Sequence, residues 1–410
     1  MSKYWHYSDH QTLAILAPLV TLFALGLDFY IPIVPHLKDL YQCSQETMQL
    51  TLSGFMLSCA FAQIITGPLC DQYGRRPIAL VSLCIFLIGS IIAPLYPSFY
   101  LMLSARLLQA IGASATFLCA YTTVRDLYPS ATESAKMYSL INVCISQSPI
   151  LAPAIGGYIA DLTTWHSVFY LLSLISIITL MSTYKCYQES TPHQHPIHFQ
   201  HLKRAYYFVI INRNFQIYSL AAATGMGSFF MFFSQSPYIL MDILGYSKTI
   251  YGIMFGTVGL SFFGASLMTN RLCQKMGPHY TVEIGCFLMM FGGILLMILE
   301  ILFGIHALSF IIPMMMVVSG AAFTIGAGLA GTMQPFGSIA GIAFSAVGFT
   351  KFAFSACLGM LLMSLPISPL SLGLLIFILA GTSSLLAFIF RHQLIEDMNK
   401  VITITPTEWD

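Results

Sequence analysis

Long apolar stretches recur along almost the whole of this sequence. A helix needs about 20 apolar residues to cross the hydrocarbon core of a bilayer, and short segments with Pro, Asn or charged residues separate stretches of that length here. The stretches number twelve, at approximately 12–34, 48–70, 77–95, 99–124, 137–160, 166–187, 215–240, 250–272, 280–302, 306–330, 338–362 and 369–391. The pattern predicts an all-α membrane protein with twelve transmembrane helices.

The composition excludes a soluble domain and gives no sign of a nucleic-acid-binding, disulfide-rich or zinc-binding protein. Only 8% of the 410 residues are charged and 57% are hydrophobic, whereas soluble domains hold about 25% charged residues. The net charge of +1 and the lack of a basic run indicate no nucleic-acid partner. The ten cysteines include no C-x-x-C pair, which indicates neither a disulfide framework nor a zinc site. The first apolar stretch is too long for a signal-peptide core, so we interpret it as a retained helix.

The distribution of basic residues predicts the orientation of the chain. Lysine and arginine are retained on the cytoplasmic side of a membrane. Two basic residues lie in segments assigned to the outer side, Lys38 and Lys248, and two lie within spans, Arg106 and Lys351. The other thirteen lie in segments or at helix ends assigned to the cytoplasmic side. We therefore expect both termini in the cytoplasm and the chain in the cell inner membrane.

A polar turn joins the second and third stretches at Gly67–Arg76. Gly74 can adopt the positive φ that a tight turn often needs, Asp71 can cap or latch the turn, and Arg75 and Arg76 mark a cytoplasmic side. The string closely resembles the G-x-L-x-D-x-x-G-R-[KR] loop between helices two and three of the major facilitator superfamily of transporters. The simpler interpretation is an anchor of topology only.

The longest polar stretch, 188–214, divides the chain into two halves. We expect a six-helix bundle at 1–187, a cytoplasmic central loop at 188–214 and a second bundle with a short tail at 215–410. Asn270–Gly277 takes the place in the second half that the Gly67–Arg76 turn takes in the first, with Gln274 where the acid would be. Two such pseudo-symmetric halves, with the substrate site near the midplane between them, are the architecture that the resemblance implies.

Asp28 is the one acid well inside a predicted span, where Tyr30 and Pro32 follow it. A charge at the bilayer centre costs at least ~2.5–3.5 kcal/mol, and such residues usually face a cavity. One interpretation is a structural cap near the outer interface. The other is a proton carrier, because a carboxylic acid holds its proton more firmly when it is buried than when it faces water.

Arg106 is a second charge within a span and begins a short motif with Gln109 and Gly112. The motif resembles the R-x-x-Q-G motif of span four in the drug-antiporter branch of the superfamily, with Ala110 where glycine is usual. Arg106 can draw a proton from a nearby acid or receive an anionic substrate; a structural ion pair is the alternative. The buried base Lys351 can bind an anionic group or extend to the interface.

Span five carries two prolines and two glycines, Pro149, Pro153, Gly156 and Gly157. The prolines remove helical hydrogen bonds and predict a kink, and the glycines allow a neighbouring helix to approach closely. The run resembles P-x-x-A-P-x-x-G-G of the bicyclomycin and chloramphenicol resistance (Bcr/CflA) subfamily. Asp28 with its following Tyr and Pro, and Arg125–Pro129, fit the same subfamily.

The sequence carries no catalytic motif and no phosphate-binding loop, so we expect neither an enzyme nor a cofactor. The resemblance implies a proton-coupled antiporter that exports drug-like or small amphipathic molecules and functions as a monomer in the lipid bilayer, with Asp28 and Arg106 coupling protons. An importer or exporter of a metabolite or siderophore and a non-transporting sensor are the alternatives.

The substrate cavity would lie between the halves and include Tyr30, Phe233, Gln235, Tyr238 and Lys351. Four histidines in the central loop have a spacing that could hold a metal, but we favour a solvated loop without one: His193, His195, His198 and His201.

Overall fold

The computed structural model describes residues 5–128, 131–190 and 199–391, and within these ranges it contains helices, turns and no strand. The α-helices of the first part are α1 (Asp9–Asp28), α2 (Val34–Leu40), α3 (Gln45–Tyr73), α4 (Arg75–Ile92), α5 (Phe99–Leu127), α6 (Ala131–Ser146), α7 (Ser148–Leu162) and α8 (His166–Cys186). Those that follow are α9 (Phe199–Ile211), α10 (Arg213–Pro237), α11 (Lys248–Phe303), α12 (Ala307–Met333), α13 (Ala340–Leu362) and α14 (Pro369–Ile389). Two 3₁₀ turns, Ile31–Ile33 and Gln334–Ile339, and a π-helical turn, Tyr238–Ile243, connect some of them.

The predicted all-α membrane fold is confirmed. Eleven helical segments in the described ranges are long and apolar enough to cross a membrane. The difference from twelve arises at α11, which has 56 residues and covers both the eighth and the ninth predicted spans. Gly277 interrupts α11 with φ 87° and ψ 162°, values that no helix contains, so α11 consists of two helices that meet at one turn.

The first span is longer than predicted, because its prolines do not end it. The span reaches from Asp9 to Leu40 instead of ending near residue 34. Pro32 and Pro35 lie in the first turns of the 3₁₀ segment and of α2, where a missing N–H costs no helical bond. The prolines therefore redirect the helix, and Asp28 lies well inside the longer span.

Two further predictions change in detail. The fifth span is divided into α6 and α7 at Gln147, and Pro149 lies in the first turn of α7. The central segment, predicted as a loop at 188–214, contains the helix α9. Val209 of this helix packs in an apolar cluster with Phe215 and Phe336. The loop was predicted from the polar residues at the beginning of the segment, and these gave no indication of that packing.

The described residues form two compact units. The first is built from the described residues within Met1–Pro196, Phe233–Leu260 and Gly359–Ser364, and the second from those within Ile197–Phe232, Ser261–Leu358 and Leu365–Asp410. In the first unit, the start of α11 packs tightly on α7: a Cβ added at Gly252 would lie 2.5 Å from the carbonyl oxygen of Pro153. Close approach of two helix backbones therefore holds α11 against the proline-rich helix. The sequence boundary between two six-helix halves stays a prediction.

Candidate functional site

Asp28 is a buried carboxylate at the end of α1, next to the break between α6 and α7. It is the last residue of α1 and is 1% exposed. Its Oδ2 accepts a hydrogen bond of 2.6 Å from Oγ of Ser148, the first residue of α7. Across the ranges that the structure describes, no basic side chain forms an ion pair with Asp28. A charged carboxylate here would therefore lack the nearby cation that usually offsets its desolvation.

Arg106 forms no ion pair with Asp28 in the described structure, so the alternative of a structural ion pair between these two residues is not seen. Arg106 is fully buried, and its Nη1 donates to the carbonyl oxygen of Gly26 at 2.6 Å and to Oε1 of Gln109 at 2.8 Å. The Gly26 carbonyl accepts from a side chain because the Tyr30 amide bonds to Leu27 at 3.1 Å instead of continuing the α-helix. Arg106 therefore holds the backbone two residues before Asp28.

Aromatic rings enclose the Arg106 guanidinium. Its central carbon lies 4.2 Å from the ring centroid of Tyr30 and 4.3 Å from that of Phe55. Such cation–π contacts partly replace the water that a buried cation loses. Gln109, besides accepting from Arg106, donates from Nε2 to Oγ of Ser90 at 2.8 Å. Nε and Nη2 of Arg106 have no hydrogen-bond partner among the described residues, so two donors stay available in the interior.

The motif glycines of spans four and five lie at close helix contacts within the first unit. A Cβ at Gly112 would lie 2.5 Å from the carbonyl oxygen of Ser82, and one at Gly156 would lie 3.0 Å from that of Phe29. Pro153 lies inside α7. Gly112 therefore lets α5 approach α4 closely, and Gly156 lets α7 approach the interruption after Asp28.

Most residues predicted for a cavity are buried in the first unit. Tyr30 is fully buried, and its hydroxyl is 2.8 Å from Oγ1 of Thr51. Phe233 packs on Phe255 with ring centroids 5.1 Å apart. Lys351 lies in the second unit, partly buried, with Nζ 4.8 Å from the ring centroid of the adjacent Phe352.

Two of these residues carry polar atoms that find no partner in the described ranges. They are Gln235, through Oε1, and Tyr238, through its hydroxyl, and both side chains are at least 97% buried. Gln49 of α3 donates to Ser234 beside them. Sequence reasoning missed Gln49 and Ser234, because single polar residues in an apolar helix carry no periodic signal. The arrangement leaves unsatisfied hydrogen-bonding groups in the interior, a feature that functional sites share.

The turn between α3 and α4 is a compact ion-pair network around Arg75. Arg75 is 2% exposed; its Nη2 contacts Asp71 at 2.6 Å, its Nε contacts Asp126 at 2.9 Å, and its Nη1 donates to the Cys70 carbonyl at 2.5 Å. Gly74 has φ 97°, the left-handed region predicted for it. The turn therefore depends on one glycine and one buried guanidinium; Gly67 lies inside α3, two turns before Gly74.

Glu189, a residue that the sequence did not single out, covers the N-terminus of α4. Its carboxylate accepts from the Arg75 amide at 2.9 Å and from the Arg76 amide at 3.1 Å. A carboxylate is favourable there because the first amides of a helix lack helical partners and carry partial positive charge. Arg76 also donates to the carbonyl oxygen of Tyr184 at 2.8 Å. The end of α8 is thereby tied to the turn.

Charged contacts also occur where Lys38 lies, in the short helix α2. Lys38 Nζ is 2.8 Å from Asp242 of the π-helical turn. Asp161 of α7 accepts from the amide and hydroxyl of Thr249 at 2.9 and 2.7 Å. A Cβ at Gly157 would lie 2.3 Å from the Lys248 carbonyl oxygen, so these backbones touch. Sequence reasoning identified Gly157 here but neither acid as a partner.

No group of metal-ligating side chains occurs in the described part of the chain. Of the four histidines in the central segment, His193, His195 and His198 lie outside the described residues. His201 is exposed on α9.

Comparisons with known proteins agree with this architecture. The Major Facilitator Superfamily profile matches residues 16–360. A chloramphenicol resistance protein of Pseudomonas aeruginosa is 31% identical over 82% of this chain and 80% of its own. A bicyclomycin resistance protein homolog of Haemophilus influenzae is 25% identical over 86% and 88%. The crystal structure of a D-xylose-proton symporter has a TM-score of 0.72 at 15% identity, covering 97% of this chain and 98% of that one, and shows the same fold.

The matched profile covers most of the chain, and the chloramphenicol resistance protein shares almost a third of its aligned residues. The predicted resemblance to the drug-resistance branch is confirmed by these matches. The family and these relatives are transporters of small molecules and not enzymes. The chain belongs to the Major Facilitator Superfamily of membrane transporters.

Proposed function

We propose that this transporter is a proton-coupled antiporter that exports drug-like, amphipathic molecules by alternating access. The names of the relatives, chloramphenicol and bicyclomycin resistance proteins, support the direction and the class of substrate. The observation that carries the coupling is Asp28, which is 1% exposed and accepts a hydrogen bond from the Ser148 hydroxyl, with no ion-pair partner among the described residues. No comparable observation supports an importer or a sensor.

Asp28 is the proton carrier in this proposal. Its carboxyl group takes up a proton when its surroundings open to one side of the membrane and releases it when they open to the other. The helix interruptions after Asp28 and before Ser148 favour this cycle, because backbone already released from helical bonding moves at low cost. Arg106 is a positioning residue that fixes the Gly26 carbonyl, and its two unpartnered donors can receive a polar substrate group.

The two charged networks are the gates. We place the Arg75 turn and both termini on the cytoplasmic side of the inner membrane, by the excess of basic residues there. The Lys38–Asp242 and Asp161–Thr249 contacts then lie outside and hold the outer ends together. Export requires the outer contacts to break while the Arg75 network holds the cytoplasmic side closed.

The substrate that this site favours is neutral, zwitterionic or anionic and of drug size. Aromatic side chains, the free atoms of Gln235 and Tyr238, and a single acid suit such molecules better than dications, which would need a second carboxylate. The function needs one chain and the surrounding bilayer, since each side chain that it invokes belongs to the same chain.

Asp28→Asn tests the coupling. We expect proteoliposomes with this variant to lose chloramphenicol accumulation driven by a pH gradient by at least tenfold, because an amide cannot carry the proton. Downhill exchange of labelled for unlabelled chloramphenicol should continue, because exchange needs no net proton movement. Glu46→Gln, in which an exposed acid at the start of α3 is neutralised, is the matched control. Full gradient-driven transport by Asp28→Asn would contradict the proposal.

A further inference from the structure

Helix α9 presents two unlike faces. Ala205 and Val209 are 3% and 0% exposed on one face, and Val209 packs against the cluster that contains Phe215 and Phe336. Asn212 alone separates α9 from α10, a helix that belongs to a membrane span. The position of α9 is therefore fixed on the second unit, directly before the chain enters the bilayer.

The opposite face of α9 exposes large apolar side chains. Tyr207 is 68% exposed, Ile210 is 52% exposed and Ile211 is 53% exposed. With 13 residues, α9 is too short to cross a bilayer. Soluble surfaces seldom carry so many large apolar groups within one helical turn, and such a patch indicates a contact that covers it.

Basic residues precede this patch on the same side of the helix. Lys203 and Arg204 are exposed and lie one turn before Tyr207 and two turns before Ile211. No acidic residue occurs in Phe199–Ile211. At 1.5 Å per residue, Lys203 and Ile210 are separated by about 10 Å along the axis. The exposed face thus changes from basic to aromatic to aliphatic over a distance comparable to the passage from headgroups to acyl chains.

We propose that α9 is an interfacial helix that binds anionic phospholipid. Lys203 and Arg204 contact headgroup phosphates, Tyr207 lies at the interface, and Ile210 and Ile211 reach the acyl chains. A soluble protein that docked on this face would not require basic residues first and aliphatic residues last along the helix. A helix that leads into a membrane span after one further residue does require that order. The surface binds lipid through charge and apolar area together.

Fluorescence in nanodiscs tests the depth of the helix. A polarity-sensitive dye is attached at Ile211→Cys or, as the matched site at the basic end of the same face, at Gln200→Cys. The background has Cys84→Ala and Cys357→Ala, since these two cysteines are exposed, and residual labelling of that background is subtracted. We expect nitroxide-labelled acyl chains to quench the dye at 211 at least threefold more than at 200. Equal quenching, with iodide reaching the dye at 211 from water, would overturn the proposal and leave the face open to a protein.

Charge removal tests the lipid class. Lys203→Gln with Arg204→Gln should weaken retention of phosphatidylglycerol, measured against phosphatidylcholine by native mass spectrometry. We expect roughly fivefold weaker retention for each charge. Arg271→Gln with Lys275→Gln is the matched control, because it removes two exposed charges from α11. The same loss in both variants, or none in the first, would contradict a specific site on α9.

Discussion

The turn at Gly74 in the first unit and the turn at Gly277 in the second have almost the same backbone and very different surroundings. Gly74 has φ 97° and ψ 159°, and Gly277 has φ 87° and ψ 162°. Each joins two membrane-spanning helices. The sequence similarity between the two turns is weak, so the shared conformation is kept by glycine alone, at a φ that other residues rarely adopt.

The side chains around the two turns do different work. In the first, Arg75 pairs with two acids and Glu189 covers the following helix N-terminus. In the second, Nε2 of Gln274 donates to Oδ1 of Asn270 at 3.4 Å. The basic Arg391, which follows α14, donates to Tyr280, and the acid nearby, Glu283, lies 3.1 Å from Nε2 of His279. A turn geometry can therefore persist after the charged network that accompanies it in the other repeat has been lost.

The largest expected difference between the turns comes from Arg75→Ala. Removing the buried guanidinium breaks its ion pairs with Asp126, which is 16% exposed, and with Asp71, which is 53% exposed. Because Asp71 is exposed and Asp126 keeps Arg125 at 3.5 Å, we expect the lower end of the cost of a broken buried pair, about 3 kcal/mol. Lys275→Ala, which removes an exposed base from the second turn, should change stability by less than about 0.5 kcal/mol. The thermal midpoint of the purified protein in detergent measures both. Similar midpoints for the two variants would mean that the Arg75 network contributes no more than a surface charge.

Alanine at the two glycines separates backbone strain from side-chain contacts. Gly277→Ala should cost about 1–3 kcal/mol from its positive φ alone, since no described residue lies within 4 Å of the added Cβ. Gly74→Ala should cost about 1 kcal/mol more, because its Cβ would lie 2.5 Å from Oε2 of Glu189 and displace that carboxylate. Gly304→Ala, with φ 73° and open space, is the control for strain. Equal midpoints at 74 and 277 would mean that Glu189 adjusts freely.

The two turns also show what the sequence could and could not predict. The membrane spans and the turn at Gly74 could be predicted, because a span requires a long run of apolar residues and a positive φ favours glycine. The acid that covers the N-terminus of α4 could not be predicted. Glu189 lies more than 100 residues from Gly74 in the sequence, and a single acid in a loop forms no recognisable pattern. The sequence left open whether Arg106 draws a proton from a nearby acid, receives an anionic substrate or forms an ion pair. In the structure it binds the Gly26 carbonyl, which is available because of an interruption of α1 that the sequence does not display.

Glu189→Gln isolates the charge at the N-terminus of α4. The amide keeps an oxygen that can accept from Arg75 N or Arg76 N, while the favourable interaction of a negative charge with the helix end is lost. We expect a cost of about 0.3–1 kcal/mol, visible as a small fall in the thermal midpoint that shrinks in high salt. Gln188→Glu is a matched control with the opposite charge change at the neighbouring position. A loss as large as that of Arg75→Ala would indicate that Glu189 organises the whole network.

The smallest effect is expected when the missing acid is restored to the second turn. Gln274→Asp places a carboxylate where Asp71 stands in the first turn, three residues before the glycine. In the first turn that acid meets Arg75, directly after Gly74, but the residue directly after Gly277 is Pro278, which has no side-chain donor. Arg271 and Lys275 are exposed, so any pairing with them is worth little. We therefore expect the thermal midpoint to change by the equivalent of less than about 0.5 kcal/mol.

Asp71→Gln, the reciprocal exchange, should destabilise the first turn by more, since it removes a contact of 2.6 Å to a buried guanidinium. A clear stabilisation by Gln274→Asp would show that the second turn can still form the network and lacks only its acid.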